Sequence, residues 1–131
     1  MVTSAHPLAS LAGLRMLMDG GNAVDAAVAT AAALNVVEPF MSGLGGAGFM
    51  HIYSARDKTQ QVLDYMGLAP QAATLDKFGN EAHRLRGPLP TLVPGACGGW
   101  LEALARYGTM DAGTVFGPAI EYAESGFAVT V

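Results

Sequence analysis

Between Ala23 and Asn35, seven of thirteen residues are alanine, and the run opens on Gly20-Gly21-Asn22. A segment of this composition loses little side-chain entropy on becoming helical. Its side chains are small on almost every side, which lets neighbours approach closely all round, as in a buried central helix. The rest of the chain therefore has to be arranged around it. Asn22 is a good N-cap, with Asp25 three positions on near the positive end of the helix dipole. Val36 to Pro39 ends the helix.

The flanking segments supply the partners. Pro7 suits a first helical turn, and Leu8, Leu11, Leu14, Leu17 and Met18 recur at helical spacing, which predicts a helix from Pro7 to Asp19, stopped by Gly20 and Gly21. Ser42-Gly43-Leu44-Gly45-Gly46-Ala47-Gly48 follows the central helix as a loop in which backbone conformation or close approach matters. Phe49 to Ser54 and Gln61 to Tyr65 are short apolar runs around a polar turn, Ala55 to Thr59, and read as an antiparallel hairpin. From Gly67 to Pro94 the chain is irregular, because prolines 70, 88, 90 and 94 exclude long helices. A helix from Gly98 to Arg106 places Trp100, Leu101 and Leu104 on one side and stops at Gly108. A last helix lies within Asp111 to Ser125, with Pro118 near its start or at a kink, and ends at Gly126. These elements amount to one α/β or α+β domain.

Composition closes off several functions. Charged residues are 14% of the 131, against roughly 25% in an ordinary soluble domain, and 51% are hydrophobic. Such a chain has enough core for one domain, is not a disordered tail, and on its own exposes apolar patches that favour a partner. A formal charge of -4 without a basic block leaves no footprint for nucleic acid. Asp25, Asn35 and Glu38 interrupt the longest apolar stretch, so no membrane span is expected. Met1 to His6 shows no basic head followed by an apolar run and a cleavage site, so no secretion signal is expected within it. The single cysteine, Cys97, has no disulfide partner and no nearby base, and reads as a small buried packing residue rather than a nucleophile.

Other chemistry is thinly signalled. Gly43 to Gly48 fits G-x-G-x-x-G, but a dinucleotide loop follows a strand and opens a helix, and here the order is reversed. His6, His51 and His83 lack ligand spacing, so no metal site is expected. Nothing local pairs Asp25, Glu38 or Asp64 as acid and base. Arg84 and Arg86 are able to grip a carboxylate or phosphate, with solvated charges as the default reading.

Four segments, in order, resemble the gamma-glutamyltransferase family of N-terminal-nucleophile hydrolases. They are His6-Pro7-Leu8-Ala9-Ser10, Gly20-Gly21-Asn22-Ala23-Val24-Asp25-Ala26-Ala27-Val28-Ala29, Val37-Glu38-Pro39 leading into Ser42 to Phe49, and Val93-Pro94-Gly95 with Tyr107-Gly108 and Pro118 to Phe127. The resemblance covers essentially the whole chain and implies an α+β fold, part of a four-layer αββα sandwich built from a large and a small subunit after autocatalytic cleavage. Residues 1–131 then correspond to the N-terminal portion of the large subunit, a single-domain fragment. Its implied partners are the remainder of the large subunit, the small subunit and a small-molecule amide substrate, with no cofactor and no metal. Self-association through the hairpin's open edges is a further expectation.

In the family the nucleophile is a threonine freed at the start of the small subunit, its own amine assisting, and it takes the acyl group of γ-glutamyl amides such as glutathione. Thr3 does not correspond to it, so no catalytic residue is expected here and the isolated chain should be inert. The large subunit's arginine, in Asp-x-Arg-Glu-x-Ala-Pro, grips the glutamyl α-carboxylate. The matching stretch is Asp64-Tyr65-Met66-Gly67-Leu68-Ala69-Pro70, in which Met66 replaces the arginine and Gly67 the glutamate. Asp64, Tyr65 and Met66 are thus the substrate-binding candidates, with Gly43, Gly45, Gly46 and Gly48 as a structural loop. Two other readings stay open: an acylase of the same fold for a non-glutamyl acyl group, and a catalytically inert binding or truncated domain.

Overall fold

The computed structural model describes residues 1–129, and the side chain of His83 lies outside the described set. Helix α1 spans Pro7–Met18, with His6 as N-cap: its Nδ1 accepts from the Leu8 N–H at 3.2 Å. Helix α2 spans Ala23–Val37, two residues beyond the expected end. Its start is a capping box, in which Asn22 Oδ1 accepts from the N–H of Val24 and Asp25 while Asp25 Oδ2 accepts from the Asn22 N–H. Val28, Ala29 and Ala33 are fully buried, as the alanine content requires.

The leucine spacing in α1 marks the helix but not its inner face. Ala9, Ala12, Gly13 and Met16 are buried, whereas Leu11, Leu14 and Met18 are exposed. Small residues permit the close approach to α2: a Cβ on Gly13 would lie 2.2 Å from Thr30 Oγ1 and 2.7 Å from the Ala26 carbonyl oxygen.

Strands β1 (Phe49–Ser54) and β2 (Thr59–Asp64) form an antiparallel hairpin in the register Phe49↔Asp64, His51↔Val62, Ser54↔Thr59. Lys58, at φ 53°, closes the turn more tightly than expected, so Thr59 already pairs with Ser54. Directly opposite residues share a face. Met50, Ile52 and Leu63 pack against the helical core, while Phe49, Tyr53 and Val62 stand on the open face.

Between the hairpin and the next long helix lie only a 3-10 turn, Leu75–Phe78, and a five-residue helix, α3 (Glu81–Leu85). Helix α4 spans Ala96–Tyr107, longer at both ends than expected, and α5 spans Ala112–Ser125. Pro118 lies inside α5 rather than near its start; the missing N–H leaves the Thr114 carbonyl without its usual partner, and the helix continues to Ser125. Two readings of α4 are corrected. Leu101 is exposed, and so is Cys97, because the buried stripe runs through Ala96, Gly99, Trp100, Ala103 and Leu104, with Cys97 and Leu101 one step round the helix. The result is α+β: helices packed around α2, with one two-stranded sheet against them. No helix among the described residues is long and apolar enough to cross a membrane.

Candidate functional site

The expected site residues meet where β2 ends. The ladder continues one step beyond the strand, with the Tyr65 N–H donating to the Gly48 carbonyl at 3.0 Å. Side chains alternate along this extended chain. Tyr65 turns inward and packs against the core, and Met66, one residue past the last ladder bond, is 41% exposed. Asp64 Oδ1 accepts from the Met66 N–H at 2.8 Å, an Asx turn that fixes the exit of the chain.

The glycine loop is part of the same construction. The Gly46 carbonyl accepts from both the Gly95 and Ala96 N–H, at 3.0 and 2.9 Å. Gly95 has no side chain with which to cap α4, so the loop's carbonyl satisfies the helix's first donors. Gly48 makes room for the Tyr65 ring, whose Cε2 would lie 3.1 Å from an added Cβ. Gly43 and Gly45 differ: an added Cβ meets nothing within 4 Å, and neither has a positive φ. The loop thus acts through the carbonyls of Gly46 and Gly48.

Two glycines that sequence reasoning left out complete the frame. A Cβ at Gly99 would lie 2.3 Å from Tyr65 Cγ, and one at Gly95 would lie 2.1 Å from the Tyr65 carbonyl oxygen. Overpacking of this kind costs about 1–3 kcal/mol. Gly99→Ala in the full-length protein should therefore lower its unfolding temperature and displace Tyr65, read as a change in near-ultraviolet circular dichroism. An unaltered transition would show that the ring is not held as described.

The electrostatics are simple. Residues 40–50, 63–70 and 92–99 contain no Lys or Arg, and Asp64 is their single charged residue. His51 lies on the same face, diagonal to Asp64 through the pairs Phe49↔Asp64 and His51↔Val62. Arg84 and Arg86 are exposed, and neither takes part in an ion pair among the described residues. Asp25 and Glu38 are not brought to Asp64: Asp25 is buried at the start of α2, and Glu38 caps its end. Among the described residues no group of three potential metal ligands forms. Two surface concavities, of about 460 and 590 Å³, lie elsewhere, one under Val2 and Ser4 against α2, the other between the hairpin turn, the start of α2 and the end of α4. Neither includes Met66.

The dinucleotide reading fails on this geometry, since α2 precedes the glycine loop and β1 follows it. The family profile described as gamma-glutamyltranspeptidase matches residues 9–131. The chain belongs to the gamma-glutamyltranspeptidase family. It is 46% identical to the acylase ACY 1 proenzyme of Pseudomonas sp. (strain V22), over 99% of this chain and 25% of that protein. It is 43% identical to the glutathione hydrolase proenzyme of Bacillus subtilis (strain 168), over 98% of this chain and 23% of that protein. Its fold superposes on the gamma-glutamyltranspeptidase of Helicobacter pylori with a TM-score of 0.90 at 41% identity, covering 99% of this chain and 39% of that one. The chain spans about a quarter of the length of these curated relatives. Family members thus include proteins named as glutathione hydrolases and as acylases, both as proenzymes.

Proposed function

We propose that this chain is the N-terminal part of the large subunit of a gamma-glutamyltransferase-like amidohydrolase, and that Asp64 and Met66 line its acyl-donor pocket, with Tyr65, the third candidate, anchoring that stretch to the core. The observation that supports this is the way the hairpin exit, the glycine loop and the start of α4 are locked into one frame, with Asp64 and Met66 exposed at its edge. Rigid elements of this kind suit substrate positioning. The remainder of the large subunit and the small subunit cover that edge and supply the threonine. Its hydroxyl oxygen bonds to the donor carbonyl, the departing amine leaves with a proton, and water or an acceptor amine then releases the acyl group.

The donor is a γ-glutamyl amide such as glutathione in the first reading. An acylase with a non-glutamyl donor is the second, and Met66 favours it: a thioether makes none of the charge-assisted hydrogen bonds an arginine would give to a carboxylate. Matched γ-glutamyl and simple acyl anilides, assayed with the processed full-length protein, separate the two. Faster turnover of the γ-glutamyl compound supports the first reading, and faster turnover of the simple acyl compound the second. Absence of processing and of turnover on both would leave an inert domain and contradict the proposal.

A further inference from the structure

The chain crosses itself twice at the hairpin exit, and glycine makes both crossings. At the first, Gly95 lies against the strand exit: an added Cβ there would sit 2.1 Å from the Tyr65 carbonyl oxygen. At the second the roles are exchanged, and Gly67 lies against the returning segment. A Cβ on Gly67 would sit 2.7 Å from the Val93 carbonyl oxygen and 3.1 Å from both Val93 N and Val93 Cβ. Residue 66 stands between the two crossings. Its N–H is held as well, by Asp64 Oδ1 at 2.8 Å. The returning segment is anchored in turn, because the Gly46 carbonyl accepts from the N–H of Gly95 and Ala96. The backbone of residue 66 is thus fixed from both sides, while its side chain is 41% exposed. Everything from Leu68 to Leu92 leaves and re-enters through this neck.

Neither crossing has room for a larger residue, since what a Cβ would strike is backbone rather than the movable end of a side chain. An alanine at 67 has to retreat by about 0.7 Å, from 2.7 Å to an ordinary contact of 3.4 Å. Planar peptide units pass that retreat to residue 66. Resting on the reading of Met66 as a lining residue of the acyl-donor pocket, we infer that Gly67 is a positioning residue, whose contact with Val93 sets where the side chain at 66 meets the donor. Gly67 itself touches no reacting atom. A donor seated against a displaced residue 66 is held less tightly before and during acyl transfer alike, so the effect falls on KM and not on kcat.

The test measures KM, kcat and thermal unfolding for Gly67→Ala in the processed full-length protein, on whichever of the γ-glutamyl and simple acyl anilides the wild type turns over faster. KM should rise by about tenfold, a fraction of the roughly hundredfold cost of a 1 Å misplacement, with kcat unchanged. Gly79→Ala is the control. Gly79 belongs to the same excursion, has a helical φ of -62°, and an added Cβ would meet the Asp76 carbonyl oxygen at an ordinary 3.5 Å, so KM should stay at the wild-type value. An unchanged KM in Gly67→Ala, a kcat that falls in step with thermal stability, or an equal rise of KM in Gly79→Ala overturns the inference. If Gly67→Ala does not fold, Val93→Gly loosens the same crossing at an exposed residue by removing the Val93 Cβ, and a raised or an unchanged KM decides in the same way. Met66→Arg is measured beside these variants. If it alters KM while Gly67→Ala does not, only the positioning role falls; if neither alters KM, the pocket reading falls with it.

Discussion

Asp25→Ala should destabilise the full-length protein by about 3–5 kcal/mol, the loss seen when a buried charged acceptor is removed and its donors are left unpaired. Asp25 is 0% exposed and serves two ends of the chain at once. It closes the capping box of α2 at Asn22, and it accepts from the Thr109 N–H, the Thr109 hydroxyl and the Met110 N–H in the turn between α4 and α5. Asn22 reinforces the same junction by donating from Nδ2 to the Tyr107 carbonyl at 2.6 Å. Truncation would strand several buried donors and unfasten α2 from both later helices. Thermal and urea unfolding measure this directly, and a variant within about 0.5 kcal/mol of the wild type, as for an ordinary surface change, would contradict it.

The same group gives stability a pH dependence. Burial pushes the Asp25 carboxyl upward, but the Thr109 hydroxyl and the N–H groups of Asn22, Thr109 and Met110 outweigh it and hold it below the usual carboxylate range. A carboxyl with a depressed folded pKa contributes stability that is fully present above its unfolded pKa, about 3.9 for aspartate. That contribution is lost as pH falls through the folded value. Wild type should therefore lose stability relative to Asp25→Ala only in acid, below about pH 4.

The elements that position the site are those whose signals are local. The Asn22 cap and the alanine run mark α2, the short apolar runs around a polar turn mark the hairpin, and the Asp64 to Pro70 stretch begins at the last residue of β2. What stayed hidden depends on contacts between distant segments. Nothing local announces that Asp25 reaches Thr109, 84 residues away, or that Gly95 and Gly99 are small because Tyr65 lies on them. A signal was present in Gly95-Ala96-Cys97-Gly98-Gly99, where three glycines at a helix start are unfavourable unless something packs there. Orientation failed for a related reason. α1 meets α2 through Ala9, Ala12 and Gly13, so backbone proximity decided its inner face and its larger leucines turned outward. Cys97 likewise followed the small-residue stripe of α4 and ended outside it.

The proposal for the pocket is most directly tested at position 66. Met66 is exposed beside Asp64, which its N–H holds in place, and the surrounding segments contain no Lys or Arg. An arginine there offers a planar fork to a donor's α-carboxylate, with hydrogen bonds worth about 1.5–3 kcal/mol each. Two of them correspond to a gain of at least about a hundredfold. The measurement is kcat/KM for γ-glutamyl anilide with Met66→Arg against wild type, in the processed full-length protein. A rise of that order, carried mainly by KM, is the result the pocket assignment predicts. An unchanged kcat/KM in a folded, processed variant would mean that residue 66 does not face the acyl donor.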